Sequence, residues 1–409
     1  MASTFTYRVR DKQSKTISGK LEAESQEAVS QKLRQMGYTV ISIVEKASAP
    51  TVEEFFQRFK FLQRIKSKDL TVFSRQFATM INAGLPITRC LSILAEQTKN
   101  AYFAKVIAGV QKDVQAGQAL SGAMAKYPKA FSSMFVSMVR AGEASGVLDQ
   151  ILLRVADHLQ AEMELKGKIK SAMAYPTVMM AITLIITFVM ITFIVPVFAK
   201  MFKDMGGELP TPTKILMAIS GVINSVYGVF IIIGLVGLII GLNMFKKTES
   251  GKLTWDSFKL KVPVFGKLSS KVALARFSRT LGTLIASGTP ILNSMEIVAD
   301  SVGNAVIGKA ILKARSSIKE GDTISKPLGE SKVFPPMVIQ MISVGEETGA
   351  LENMCSKIAD FYEQEVANTV DALTSLIEPL LIVVLGLVIG GILISLYLPM
   401  FDIINLIKE

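Results

Sequence analysis

Charge, cysteine and histidine are all scarce in this chain of 409 residues. Charged residues make up 19% of it and hydrophobic ones 50%, whereas a soluble globular domain carries about 25% charge. A membrane protein is therefore expected, and disordered or collagen-like chains are excluded. The two cysteines, Cys90 and Cys355, form no CxxC pair, and there is one histidine. These residues cannot build a zinc site, so the cysteines read as small core residues in a reducing compartment. His158 lies in the helical pattern LLRVADHLQAEMEL and reads as a surface or packing residue. Any Ser-His-Asp or Cys-His enzyme would have to depend on it alone. The N-terminal MASTFTYRVRDKQSK lacks an apolar run, so no cleaved signal peptide is expected.

Lys and Arg number 45 against 34 Asp and Glu, a net charge of +11. Its placement argues against a nucleic-acid surface. Three charge-free stretches are long enough to span a bilayer, which takes about 20 residues: Lys170 to Lys200, Lys214 to Lys246, and Glu378 to Asp402. Lys166, Lys168 and Lys170 precede the first, and Lys246, Lys247, Lys252, Lys259, Lys261, Lys267 and Lys271 follow the second. By the positive-inside rule, residues 1–170 and 246–375 are expected in the cytoplasm, and the 200–214 loop and the C-terminus outside. No charge lies at mid-depth, which argues against an ion-coupled transporter. Pro176, Pro196, Pro379 and Pro399 fall near span ends, where a missing N–H costs least but can still kink a helix.

The chain repeats itself. FSRQFATMINAGLPI from Phe73 aligns with FSRTLGTLIASGTPI from Phe277 at an offset of 204. GEASGVL (Gly142 to Leu148) aligns with GEETGAL (Gly345 to Leu351) at 203, as do Phe131 with Phe334, Pro176 with Pro379, and Pro196 with Pro399. A single one-residue gap thus aligns about 130 residues in each half. Each repeat reads as about six short helices followed by a span, crossing in the same sense. The second span belongs to neither repeat and returns the chain to the cytoplasm.

The expected architecture is therefore an all-α polytopic membrane protein with two duplicated cytoplasmic helical bundles, three transmembrane helices and a small α+β N-terminal module. In order, these are the module over 1–46, read as strand, strand, helix and strand, and a linker over 47–66. The linker holds Phe55, Phe56, Phe59 and Leu62 at amphipathic spacing, for a helix on the membrane surface or on its own bundle. The first bundle follows over 67–170, a span over 171–199, a periplasmic loop over 200–214 and a span over 215–245. The second bundle covers 246–375, the third span 376–401, and a periplasmic tail 402–409.

Few motifs carry chemistry. Gly303 to Ala310, GNAVIGKA, approaches a P-loop but lacks the Ser/Thr that holds magnesium, and no strand is expected before it. Glu143 and Glu346 sit in G-E-x-[ST]-G-x-L, flanked by Gly142 and Gly146 and by Gly345 and Gly349. Each reads either as a helix corner, the glutamate capping the next helix N-terminus, or as an acidic contact for a partner. Asp149 and Asp157 nearby lack EF-hand spacing. Glu378, where the third span begins, sits in the headgroup region or pairs with Lys168 or Lys170. Gly237/Gly241 and Gly386/Gly390 form G-x-x-x-G pairs, either helix-packing sites or the ordinary glycine enrichment of membrane helices. No catalytic residue, cofactor or metal site is expected, and the layout suggests a scaffold.

The run KIKSAMAYPTVMMAITLIITFVMITFIVP (Lys168 to Pro196), the F-S-R…G-x-P-I segments, the paired G-E-x-[ST]-G-x-L and the E-P before the last span resemble the PilC/GspF family. These are inner-membrane platform proteins of type IV pili and type II secretion. The resemblance covers residues 67–401, and the N-terminal module resembles the family's extension. It implies a non-enzymatic platform, a homo-oligomer, that engages hexameric assembly and retraction ATPases and contacts pilin and other inner-membrane pilus proteins. Overall resemblance favours the pilus branch, with a type II secretion platform as the alternative.

Overall fold

The computed structural model describes residues 3–10, 16–23, 26–45, 65–204, 209–263 and 265–406. The N-terminal unit comprises β1 (Ser3–Arg10), β2 (Thr16–Ala23), α1 (Gln26–Gln35) and β3 (Thr39–Glu45). Its antiparallel sheet has the order β2-β1-β3. Alternation along the strands, with a bulge in β3 opposite Arg8 and Val9 that lets Val40 and Ile43 share a side, sends these two with Tyr7, Val9 and Leu21 to one face, where they pack with Val29 and Leu33 of α1. The linker helix expected over 47–66, with its Phe55, Phe56, Phe59 and Leu62, falls almost wholly outside the described residues.

The second unit is helical. The first repeat contains α2 (Ser67–Asn82), α3 (Ile87–Gln97), α4 (Ala101–Gln115), α5 (Leu120–Ala125), α6 (Ser133–Ser145) and α7 (Leu148–Ala172). Then come α8 (Ala174–Val189), a π-helical turn (Met190–Ile194) and α9 (Val195–Asp204). The connection holds α10 (Thr211–Asn224), α11 (Val226–Phe245) and α12 (Glu249–Lys261). The second repeat contains α13 (Phe265–Ala286), α14 (Ile291–Ser301), α15 (Ala305–Lys319), α16 (Ser325–Glu330), α17 (Pro336–Thr348) and α18 (Leu351–Leu406). The first expected bundle, 67–170, holds six helices, and the second, 246–375, holds α12 as well as its six, with α12 packed on α13 and α15.

The two bundles share a core plan. In α2 the buried Phe73, Ser74, Phe77 and Ala78 fall three or four apart, the stripe that turns one helix face inward. Phe73 packs on Phe131 and Phe277 on Phe334, with ring centroids 5.9 and 4.9 Å apart. Each fully buried ring contributes about 1.5–3 kcal/mol. Asn100 and Asn304 play one role in both halves: each side-chain oxygen accepts two backbone N–H groups and starts the third helix.

Three helices are long and apolar enough to cross a membrane: Leu148–Met201, Val226–Phe245 and Leu351–Leu398. The first and third are last helices of their bundles, continued into the apolar run. The stretch expected as one span over 215–245 is two helices, divided at Ser225. That residue is extended (φ −96°, ψ 173°), and its Oγ accepts from Tyr227 N, starting α11 afresh. Only α11 is long and apolar enough to cross. The shorter α10 packs against the first and third spans through Leu216 and Met217, which join Val195, Ile392 and Leu396 in one apolar cluster.

Candidate functional site

The G-E-x-[ST]-G-x-L segments form matched corners between the fifth and sixth helices of each repeat. Gly142 lets α6 cross close to α7: an added Cβ would lie 3.0 Å from Ile151 and 3.2 Å from the Leu148 Cα. At Gly345 it would lie 2.9 Å from the Leu351 Cα. Gly146 and Gly349 end their helices in the left-handed region, at φ +73° and +69°, which glycine adopts without a Cβ clash. The glutamates cap a different helix from the one expected. Glu143 accepts from Leu120 N and Ser121 N at 2.5 and 3.0 Å. Glu346 accepts from Ile324 N and from Ser325 N, the latter at 2.9 Å. Each carboxylate thus holds the start of the preceding short helix, α5 or α16. The following helix lies beyond the glycine turn, whereas α5 packs on α6 and α16 on α17.

The F-S-R arginines brace the sixth helix of each repeat, a role the sequence reading did not assign. Arg75 pairs with Asp157 at 2.8 Å and donates to Gln160 at 2.6 Å. Arg279 pairs with Asp360 at 2.7 Å and donates to both oxygens of Glu363 at 2.9 Å. The partners obey the 203-residue offset, so the signal was present in the alignment of 157 with 360 and 160 with 363.

The two repeats meet along α7, α13 and α18. Leu165 packs with Val366 and Val370, flanked by Ile169, Leu268 and Val272, and Arg154 pairs with Glu352 at 3.1 Å. Between the repeats lies a cavity of about 260 Å³ lined by His158, Glu162, Arg276, Arg279 and Glu363. His158 is therefore a packing residue. Burial pushes its pKa down to about 4; Glu162 opposes this, and Arg279 and Lys166 assist it. Burial works against the charge on Glu162, but the hydrogen bond from Lys166 and its positive charge hold the carboxyl below its usual value.

The P-loop-like segment is closed to phosphate. Helix α14 precedes it, Asn304 caps α15, and the buried Asp256 accepts from Ala305 N at 2.9 Å. A carboxylate of the chain itself thus occupies the place of an anion. Among the described residues, no three His, Cys, Asp or Glu side chains gather where a metal ion could sit. Burial raises the Cys90 thiol and pushes Cys355 up to about 12, away from nucleophilic use.

At the membrane end, α10 clasps both repeat spans. Proline supplies no N–H to the carbonyl four residues earlier. Pro196, four residues on from Thr192, has no N–H to offer its oxygen, and Asn224 Nδ2 donates there at 3.3 Å. Pro399 likewise offers none to the Ser395 oxygen, and Thr213 Oγ1 donates to it. Thr192 and Ser395 are themselves 203 apart. One helix, from opposite ends, thus donates to two equivalent backbone groups that proline has deprived of an N–H four residues on.

The remaining expected residues are not drawn together. Glu378 is exposed, and among the described residues it forms no ion pair with Lys168 or Lys170. Cβ atoms added at Gly237, Gly241, Gly386 or Gly390 would meet nothing within 4 Å. Among the described residues these glycines meet no neighbouring helix, and the described large apolar side chains of α11 are exposed.

Comparison with known proteins agrees with this duplicated plan. Residues 73–196 and 277–399 each match the family described as type II secretion system (T2SS), protein F. Residues 1–44 match that family's N-terminal domain. The type IV pilus assembly protein PilC of Myxococcus xanthus is 40% identical over 408 residues, covering 99% of this chain and 96% of that one. PilC of Thermus thermophilus is 41% identical, covering 98% of each. The type II secretion system protein F of Vibrio cholerae is 30% identical over the full length of both. The chain belongs to the type II secretion system protein F family.

Proposed function

We propose that this chain is the inner-membrane platform of a type IV pilus machine, coupling cytoplasmic ATPases to the insertion and removal of pilin at the fibre base. The observation that carries the reading is mechanical. The last helix of each bundle continues into a span, and α18 runs 56 residues without interruption, about 84 Å at 1.5 Å per residue. That far exceeds the roughly 30 Å hydrocarbon core, so a displacement applied to the bundle is delivered within the bilayer. The interrepeat seam and the α10 clasp join the two levers into one body. Greater identity to proteins named for pilus assembly than to the secretion protein favours the pilus branch.

In this reading the bundles lie in the cytoplasm and engage hexameric assembly and retraction ATPases. The C-terminus is periplasmic, and the spans contact pilin and other inner-membrane pilus proteins. The platform itself performs no catalysis. The open glycine faces at Gly237/Gly241 and Gly386/Gly390 suit close packing against further copies. Glu143 and Glu346 serve as corners that hold the bundles in shape for partner docking. The second reading, a type II secretion platform, is favoured by the full-length likeness to the Vibrio cholerae protein. A deletion strain assayed in parallel for sheared surface pilin and secreted exoproteins separates the two. Loss of pili with intact secretion, restored by the gene, supports the pilus platform; intact pili with blocked secretion overturns it.

A further inference from the structure

Where the first repeat meets the membrane, the end of α7 and the start of α8 line a cavity of about 590 Å³ together with Arg276 of the second repeat. Lys166, Lys170 and Arg276 provide its polar part, and Met173, Thr177 and Val178 extend it along the first span. We propose that this cavity binds the headgroup of an anionic phospholipid of the adjacent leaflet, with its acyl chain along the Thr177/Val178 face.

Three observations carry the assignment. The cations exceed the local acids. Lys166 is neutralised by Glu162 at 2.8 Å, but Lys170 and Arg276 form no ion pair among the described residues. Two positive charges on the cavity wall thus lack an ion-pair partner among the described residues.

Arg276 is also unneeded by the shared architecture. At the 204-residue offset its counterpart is Val72, whereas the structural Arg279 matches Arg75. The guanidinium is nevertheless held in place: its Nη1 rests against Gly303, where an added Cβ would come within 2.6 Å. Finally, the cavity joins charge to grease. Below Lys170 the chain carries no charge until Lys200, and Val178 on that wall is 56% exposed. A free phosphate would leave this apolar half unused, whereas a phospholipid fills both halves. Basic pockets at the membrane face of helices are the established setting for such headgroups. The inference needs only that the first span crosses the bilayer, so it stands or falls apart from the pilus reading.

The test uses the full chain in detergent, with bound lipid counted by native mass spectrometry. The probes are dioleoyl phosphatidylglycerol, dioleoyl phosphatidylcholine and inorganic phosphate. The wild-type chain is expected to retain phosphatidylglycerol in preference to phosphatidylcholine. Lys170→Gln and Arg276→Gln should each lower that retention about fivefold, Arg276→Lys should restore most of it, and Lys313→Gln, the same charge change on exposed α15, should leave it intact. Equal loss in Lys313→Gln, or no loss in Lys170→Gln, overturns the site. Phosphate that displaces nothing is expected; phosphate bound alone, and lost in the same variants, overturns the lipid in favour of a free anion. Lys170 is exposed, so its substitution keeps the test open if Arg276→Gln fails to fold.

Discussion

Replacing Glu346 by alanine separates a cap from a contact. The carboxylate accepts from Ile324 N and Ser325 N at the start of α16. Hydrogen bonds to a charged group contribute about 1.5–3 kcal/mol each. Glu346 is half-buried, so water replaces part of what is lost, and the expected cost is about 2–3 kcal/mol. Glu346→Gln keeps one carbonyl oxygen but turns an amide N–H₂ towards the other donor and removes the charge from the helix terminus. It should therefore behave nearly as badly as alanine. Because α16 has six residues, the loss falls on local opening rather than on the whole chain. A change of 2 kcal/mol raises the opening constant about thirtyfold. Hydrogen exchange of the 320–330 peptide in the full chain reads this directly, with the α13 peptide as internal control. Unchanged protection in Glu346→Ala, at wild-type protein levels, refutes the capping argument. Glu143→Ala should act in the same way on the 117–127 peptide. Fibre assembly should fall in parallel with protection; normal fibres despite a frayed α16 would remove any need for the corner in assembly.

The remaining expectations use other parts of the structure. His158 has a folded pKa near 4 against about 6.5 when unfolded. The unfolded chain therefore binds more protons between these values, and the contribution of about 3 kcal/mol, complete above pH 6.5, is lost as pH falls towards 4. Chemical denaturation at pH 7, 5.5 and 4.5 should show this slope, and His158→Gln should flatten it. Cys90 and Cys355, both buried, should resist iodoacetamide in the native chain and react once it is unfolded; rapid native labelling would contradict their placement. Thr213→Val should weaken the clasp by about 1–2 kcal/mol, the upper range for hydrogen bonds in membranes, and Asn224→Leu by less. Adding Pro196→Ala to Asn224→Leu should recover stability, because alanine restores a backbone N–H beside the π-helical turn that the proline lacks. A double-mutant cycle on thermal unfolding in detergent without such recovery would remove Asn224 from that role.

Much of this fold is legible because duplication doubles every signal. The fixed offset pairs Phe73 with Phe277 and Asn100 with Asn304, and apolar spacing sets the six helices of each repeat. The glycines of the corners point to a tight crossing, but the glutamate's target does not follow from chain order. Spatial proximity chose the preceding helix, and proximity is a tertiary fact. The break at Ser225 was hidden for a related reason. Hydropathy weighs the run from Lys214 to Lys246 as one apolar block, while the division rests on a hydroxyl that caps one helix next to an amide that serves another chain segment.

The clasp follows from that same division. An Asn within an apolar stretch is a poor membrane residue until it has a backbone acceptor, and a proline four residues after a carbonyl creates one. The prolines at 196 and 399 and the donors at 213 and 224 are each unremarkable alone. Together they explain why the connection between the repeats is longer than a simple return span requires. The extra helix, α10, donates to two backbone oxygens that duplication placed four residues before a proline, and by doing so it fixes the distance between the two spans. Losing either donor frees one span while the other stays held. The two single substitutions should therefore loosen different repeats, and hydrogen exchange near Thr192 and near Ser395 should respond separately.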